Sequence, residues 1–203
     1  MSGAAAWLMV MLALGVVVVR RRSVAVALVT AQALILAVTA LDESPSGRDA
    51  VAAAALALRA VALAAFLWLL VSRTRELRPV RAGATPLARA GAAVGLALAL
   101  IWLIPELGLE TRDAQRSAVA IVAVGLVTVA TRNATLFQVL GIVLVENALA
   151  LAALGLPGGS SLAIELGVTF DLALLTVVAG VFHERIFAEL GAGDAAQLRS
   201  LRD

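Results

Sequence analysis

Two polar residues, Glu146 and Asn147, interrupt an otherwise unbroken apolar run from Val139 to Leu156. A charged carboxylate at the centre of a bilayer costs about 2.5–3.5 kcal/mol even on the mildest insertion scales, so a sequence keeps one there only with a partner or a use. Such a group can take and release protons, because burial favours its neutral form and a neighbouring cation favours its charged form. Glu146 is therefore a candidate proton-carrying residue.

Three further ionisable residues fall inside apolar segments: Arg59, Glu165 and Asp171. Counting helical turns predicts that Arg59, Glu146 and Asp171 lie near the middle of their segments, and Glu165 about one turn from an end. Glu165 and Asp171 are separated by six residues, so on one helix they point about 120° apart and differ in depth by about 9 Å. We expect these two carboxylates to face different neighbours.

These residues allow two interpretations. Arg59 and Glu146 could form a buried salt bridge that only holds helices together, or the charged groups could form a lateral chain that passes protons through side chains and water. Gln32 and Asn147 could each bind a relay water, or they could join two helices by an amide hydrogen bond. His183 lies beside Glu184 at the end of an apolar segment, where a polar residue needs no special function.

The composition indicates an integral membrane protein and limits its chemistry. Of the 203 residues, 62% are hydrophobic and 15% are charged, and the mean hydropathy is +1.01, values well outside those of soluble domains. Without cysteine and with a single histidine, the chain cannot form a disulfide, an iron–sulfur cluster, a thiolate zinc site or a bis-histidine haem site. We expect no cofactor. The arginines lie between apolar segments, a placement that orients a chain in a bilayer and does not indicate nucleic-acid binding.

Seven apolar runs of about the length that crosses a bilayer predict an all-α polytopic fold. We place the spans at 4–19, 24–41, 50–72, 87–105, 115–131, 135–156 and 162–184, and we expect the first to be a span and not a cleaved signal. Twelve arginines fall on one side of the predicted spans and three on the other. The positive-inside rule then predicts an outside N-terminus and a cytoplasmic C-terminus. The bias towards alanine, arginine, glycine and valine is typical of a GC-rich bacterial genome, so we expect the membrane to be the bacterial inner membrane. The arginines of the first side are Arg20, Arg21, Arg22, Arg73, Arg75, Arg78, Arg81, Arg89, Arg132, Arg185, Arg199 and Arg202.

The segment that contains Glu146 resembles the hydrogenase-4 component E family, membrane subunits of formate hydrogenlyase-type and related respiratory complexes. The resemblance lies in the run Q-x-x-G-x4-E-N and, after a short loop, E-[IL]-G-x3-D. The residues that carry these motifs are Gln138, Gly141, Glu146, Asn147, Glu165, Gly167 and Asp171. The region 111–188 is similar in turn to the small three-helix K-type membrane protein of complex I and to its counterpart in multisubunit cation/proton antiporters. Region 1–110 would then be a four-helix part, and 189–203 a cytoplasmic tail.

The resemblance implies a subunit without a redox site that packs between antiporter-like membrane subunits and the membrane anchor of the hydrophilic arm. It implies proton-path roles for Glu146, Asp171, Glu165 and Arg59, with polar support from Gln32, Asn147, Gln138 and His183. Family members often carry lysine at the position of Arg59, and arginine rarely deprotonates, so a counter-ion role suits this residue.

Two alternatives remain open at the level of sequence. One is a purely structural membrane subunit whose buried charges fix helix packing. The other is a stand-alone transporter, which is disfavoured because the sequence shows neither an internal repeat nor interrupted helices.

The arginine asymmetry generates a topological prediction. A cysteine introduced into the loop 156–161 should react with a membrane-impermeant thiol reagent added outside intact cells, because the chain has no other cysteine and this loop is predicted to face outward. Labelling that requires permeabilised cells would reverse the orientation.

Overall fold

The computed structural model describes residues 3–42, 47–73, 84–109 and 111–156, together with Thr176 and Gly180. Apart from those two positions, the predicted seventh span at 162–184 and the tail at 189–203 lie outside the described residues. Glu165, Asp171 and His183 lie outside them as well. The prediction of seven spans therefore stays a prediction.

Six α-helices make up every regular element of the described chain, which confirms the all-α class. Their bounds fall within a few residues of the predicted spans. The helices are α1 (Gly3–Val18), α2 (Arg22–Asp42), α3 (Gly47–Arg73), α4 (Pro86–Leu103), α5 (Arg112–Thr131) and α6 (Thr135–Leu154).

Local signals explain where α4 and α5 begin. The hydroxyl of Thr85 accepts a hydrogen bond from the backbone N–H of Ala88, and Pro86 occupies the first turn of α4, where its missing N–H costs nothing. Thr111 caps α5 in the same way by accepting from Ala114 N–H.

Four of the described helices, α2, α4, α5 and α6, are long and apolar enough to cross a membrane. Helix α1 is shorter, with 16 residues, and the apolar stretch described within α3 covers Leu56–Leu69. Large apolar side chains such as Leu87, Leu98 and Trp102 are exposed, as expected for a surface that faces lipid. The chain is a helical membrane protein.

The bundle is built around the α5–α6 pair. Helix α5 also packs against α1 and α4, and α2 packs against α1, α3 and α6. Helices α5 and α6 approach most closely at Gly125 and Gly141. A Cβ atom added to Gly141 would lie 2.8 Å from the carbonyl oxygen of Gly125, and one added to Gly125 would lie 2.6 Å from that of Gly141. Because both neighbours are backbone atoms, only glycine permits this crossing.

The glycine pair Gly91 and Gly95 on α4 has a different setting. Their GxxxG spacing permits a close helix contact, but apart from the backbone of α4 itself no described atom lies within 4 Å of a Cβ added at either position. The close crossing of the described bundle is therefore at Gly125 and Gly141.

Gly141→Ala should destabilise the bundle, because the added methyl group must push α5 and α6 apart, at a cost of about 1–3 kcal/mol. Unfolding of the detergent-solubilised protein by heat or denaturant measures this effect. Gly91→Ala is the matched control, since it adds the same methyl group to an open helix face and should leave stability equal or slightly higher. Equal effects of the two substitutions would contradict the close crossing.

Candidate functional site

The guanidinium of Arg59 on α3 forms an ion pair with the carboxylate of Glu146 on α6. Both side chains are buried, and each comes from near the middle of its helix. Two of the three residues that the sequence placed at mid-depth are therefore in direct contact. A buried charge needs a partner of this kind, because removing an isolated ion from water is far more costly than removing a paired one.

A chain of amide hydrogen bonds begins at the residue after Glu146. The side-chain amide of Asn147 donates to Gln32 Oε1 over 2.9 Å, and Gln32 Nε2 donates to the backbone carbonyl of Met9 over 3.0 Å. Asn147 and Gln32 are both buried. These hydrogen bonds link α6 to α2 and α2 to α1. Because a backbone carbonyl can only accept, the Gln32 group that faces Met9 O is the NH2 group, and the Gln32 oxygen accepts from Asn147.

A small cleft adjoins the ion pair, and it is lined by Arg59, Asn147, Ala33, Leu36, Leu56, Ala60 and Leu63. Its volume of about 10 Å³ is close to the minimum that holds one water molecule. Two of its lining groups are polar, Arg59 and Asn147. The Nε atom of Arg59 is buried and makes no hydrogen bond with the described chain. The cleft is therefore a place where a single water would find hydrogen-bonding partners.

Gln138, which the sequence assigned to polar support, lies away from this cluster. Its side-chain amide donates to the carbonyl of Arg132 over 3.1 Å and so closes the turn between α5 and α6. Eight residues of helix separate it from Glu146, a distance of about 12 Å along the axis. Its described contact is with the turn and not with the ion pair.

A second polar cluster occupies the end of the bundle that carries Arg20, Arg89 and Arg132, which we call the arginine end. Arg132 Nη2 donates to the carbonyl of Val17 over 3.0 Å, with a weaker contact to Val16 at 3.4 Å and a further one to Val19. Val16 and Val17 lie in the last turn of α1, where the carbonyls have no partner within the helix, and Val19 follows the end of the helix. The guanidinium also lies over the ring of Phe137, 4.0 Å from its centroid.

Arg89 and Arg20 face the same cluster. Burial, and then the neighbouring charges of Arg89 and Arg20, lower the pKa of the Arg132 guanidinium to about 10. Arg89 and Arg132 are each only 1% exposed. The Nε, Nη1 and Nη2 atoms of Arg89 are buried and have no hydrogen-bond partner in the part of the chain that the structure describes.

The sequence treated Arg89 and Arg132 only as arginines that orient the chain and did not identify them as buried groups. One signal was present for Arg89. Thr85 and Pro86 mark the start of a helix, so Arg89 falls inside α4 and not in the preceding connection. For Arg132, the short connection between α5 and α6 keeps the side chain near the bundle.

A relative of this chain occurs in Mycobacterium tuberculosis. Over 162 residues the chain is 33% identical to the uncharacterized protein Rv0085 of that organism, and the match covers 76% of this chain and 72% of that protein. No family model matches the chain, and no solved structure matches it.

The amide chain generates a prediction about coupling. Gln32→Met and Asn147→Leu should be less destabilising together than the sum of the two single changes, because either single change already breaks the hydrogen bond between them. A double-mutant cycle on thermal unfolding in detergent should give a coupling of about 0.6–2 kcal/mol.

Thr131→Val serves as the control partner in a second cycle with Gln32→Met. The Thr131 hydroxyl bonds within its own helix, to Val127 O, so these two changes should be additive within about 0.5 kcal/mol. Additivity in both cycles would contradict the Asn147–Gln32 hydrogen bond.

Proposed function

This chain belongs to the family of the Mycobacterium tuberculosis protein Rv0085, and we propose that it is a membrane subunit of a hydrogenase-4 or complex I-like assembly in the bacterial inner membrane. In this proposal the chain carries no redox centre. It contributes intramembrane carboxylates, foremost Glu146, to a path for protons or another cation. Asp171 and Glu165 extend the path on the basis of the sequence motif alone.

The observation that carries the proposal is the buried ion pair of Arg59 and Glu146. This pair places a carboxylate and a guanidinium in the apolar interior of the described bundle. Ionisable groups within a membrane are typical of ion and proton pathways. Arginine keeps its charge in proteins, so Glu146 is the member of the pair that can gain and lose a proton. Arg59 then acts as the fixed counter-ion that stabilises the charged carboxylate.

The neighbouring polar groups suit a relay. The cleft beside Arg59 and Asn147 has the volume of about one water, and a water there would lie next to the ion pair. Asn147 and Gln32 are held in one orientation by their hydrogen bonds to each other and to Met9. A fixed amide presents the same donor or acceptor to the water in every turnover, which favours a defined path.

The exposed surface of α4 supports a role inside a larger assembly. Only 17% of the residues of α4 are buried, and Gly91 and Gly95 lie on its open face. Small residues spaced in this way allow close packing of another membrane helix. Antiporter-like subunits and the membrane anchor of the hydrophilic arm are the partners we propose.

A purely structural role is the second candidate, and the same direct contact favours it. A salt bridge between α3 and α6, together with an amide chain from α6 to α1, would fix helix packing without moving any proton. The two candidates differ in what happens when the carboxylate is neutralised.

Glu146→Gln should abolish most of the proton pumping of each complex that still assembles if the proposal holds, because glutamine keeps the volume but cannot exchange a proton. The measurement is proton translocation per electron transferred in proteoliposomes of the complex purified through a tag on this chain, alongside the yield of intact complex. Under either candidate the stranded Arg59 should cost about 3–5 kcal/mol and lower the yield of complex. If the pair is only structural, the complexes that do assemble should pump normally.

Two further variants sharpen the test. The exchange Arg59→Glu with Glu146→Arg restores an ion pair with its charges reversed, so a structural role predicts full rescue, whereas a relay role predicts assembly without pumping. Glu106→Gln removes the same charge from an exposed salt bridge with Arg112, and it should change neither yield nor pumping. Normal pumping and normal yield in Glu146→Gln would exclude both candidates.

A further inference from the structure

The arginine end contains a buried cation whose charge no described group compensates. The three guanidinium nitrogens of Arg89 are buried without a hydrogen-bond partner, and its described charged neighbours are two more arginines, Arg132 and Arg20. Two nitrogens of Arg132, Nε and Nη1, are likewise buried without a hydrogen bond. An unpaired buried charge with like charges beside it is unfavourable unless an anion joins the cluster.

The helix dipoles act in opposite ways on the positive charges of Arg132 and Arg89. Arg132 follows the last turn of α5 and donates to the last carbonyls of α1, so it faces two negative helix ends. Arg89 lies in the first turns of α4, after the cap at Thr85, where the dipole is positive. The helix ends therefore offset part of the positive charge of Arg132, whereas the start of α4 adds to the uncompensated positive charge at Arg89.

We propose that the arginine end is a binding site for a phosphate group, held by Arg89 and Arg132 with Arg20 at its exposed edge. The planar fork of an arginine matches two oxygens of a phosphate, and the start of α4 favours an anion through its dipole. Phosphate can come from an anionic phospholipid headgroup or from a soluble phosphate. Basic pockets between membrane helices are known to hold phospholipid headgroups. The site is separate from the ion pair at Glu146, and the proposal does not rest on the function of that pair.

The test uses the full chain, purified in a neutral detergent and depleted of lipid, and follows its melting temperature during titration. Phosphatidylglycerol should raise the melting temperature of the unmodified chain. Arg89→Gln should weaken the apparent affinity by at least about tenfold, because it removes a charge-assisted contact to phosphate. Without added anion, Arg89→Gln should melt no lower than the unmodified chain, because it removes an unpaired buried cation.

Two controls separate a specific site from general attraction. Arg116→Gln removes one positive charge from an exposed position near the start of α5, at the opposite end of that helix, and should respond to phosphatidylglycerol like the unmodified chain. Arg89→Lys keeps the charge without the planar fork and should retain part of the response. Equal affinity in Arg89→Gln and Arg116→Gln would overturn the proposal. So would a loss of stability in Arg89→Gln that is the same with and without phosphatidylglycerol.

Parallel titrations identify the source of the phosphate. Stabilisation by phosphatidylglycerol, without stabilisation by inorganic phosphate, assigns the site to an anionic lipid. The reverse result, again dependent on Arg89, assigns it to a soluble phosphate. Phosphatidylcholine should not compete with phosphatidylglycerol, because its headgroup carries no net charge. A chain that responds to neither phosphate source would also overturn the proposal.

Discussion

The constraint on which this structure depends is that a charge removed from water must find its partner within the reach of its own side chain. Arg59 meets it by pairing with Glu146 across α3 and α6. Arg132 meets it in part, with the carbonyls that end α1 and with the ring of Phe137. Arg89 does not meet it within the described chain. The three arginines thus represent three degrees of compensation, and Arg89, the least compensated, marks where an external anion is needed.

The close crossing of α5 and α6 sets the geometry of both polar clusters. Contact at Gly125 and Gly141 holds the two backbones against each other, about one and a half turns before Glu146. Gln138 then closes the turn from α5 to α6 by donating to Arg132 O. Because the backbone contact fixes the crossing and the Gln138 side chain closes the turn, the backbone positions of Glu146 and Arg132 on this hairpin are held relative to each other.

The sequence was sufficient for the six described helices and for identifying Arg59 and Glu146 as ionisable groups within apolar runs, since both are local properties. It left open whether the two residues form an ion pair. It was not sufficient for the arginine end. An arginine near a helix end has the same sequence signature whether its side chain reaches water or turns into the bundle. Arg132 contacts carbonyls that are more than a hundred residues away in sequence. The packing of α1 that brings these carbonyls to Arg132 cannot be read from the residues around Arg132. Gln138 shared a motif with Glu146 but serves the turn, because eight residues of helix separate the two.

Helix α1 connects the two clusters although it contributes no charged side chain. In the middle of the helix, the carbonyl of Met9 accepts from Gln32, using a lone pair that the helical hydrogen bond leaves open. At its end, the carbonyls of Val16 and Val17 accept from Arg132. The two positions are about 12 Å apart along the axis. Any shift of α1 along its axis must therefore alter both the amide chain beside Glu146 and the hydrogen bonds of the arginine end. Among the described helices, the one without a charged side chain is thus the one that joins these two sites mechanically.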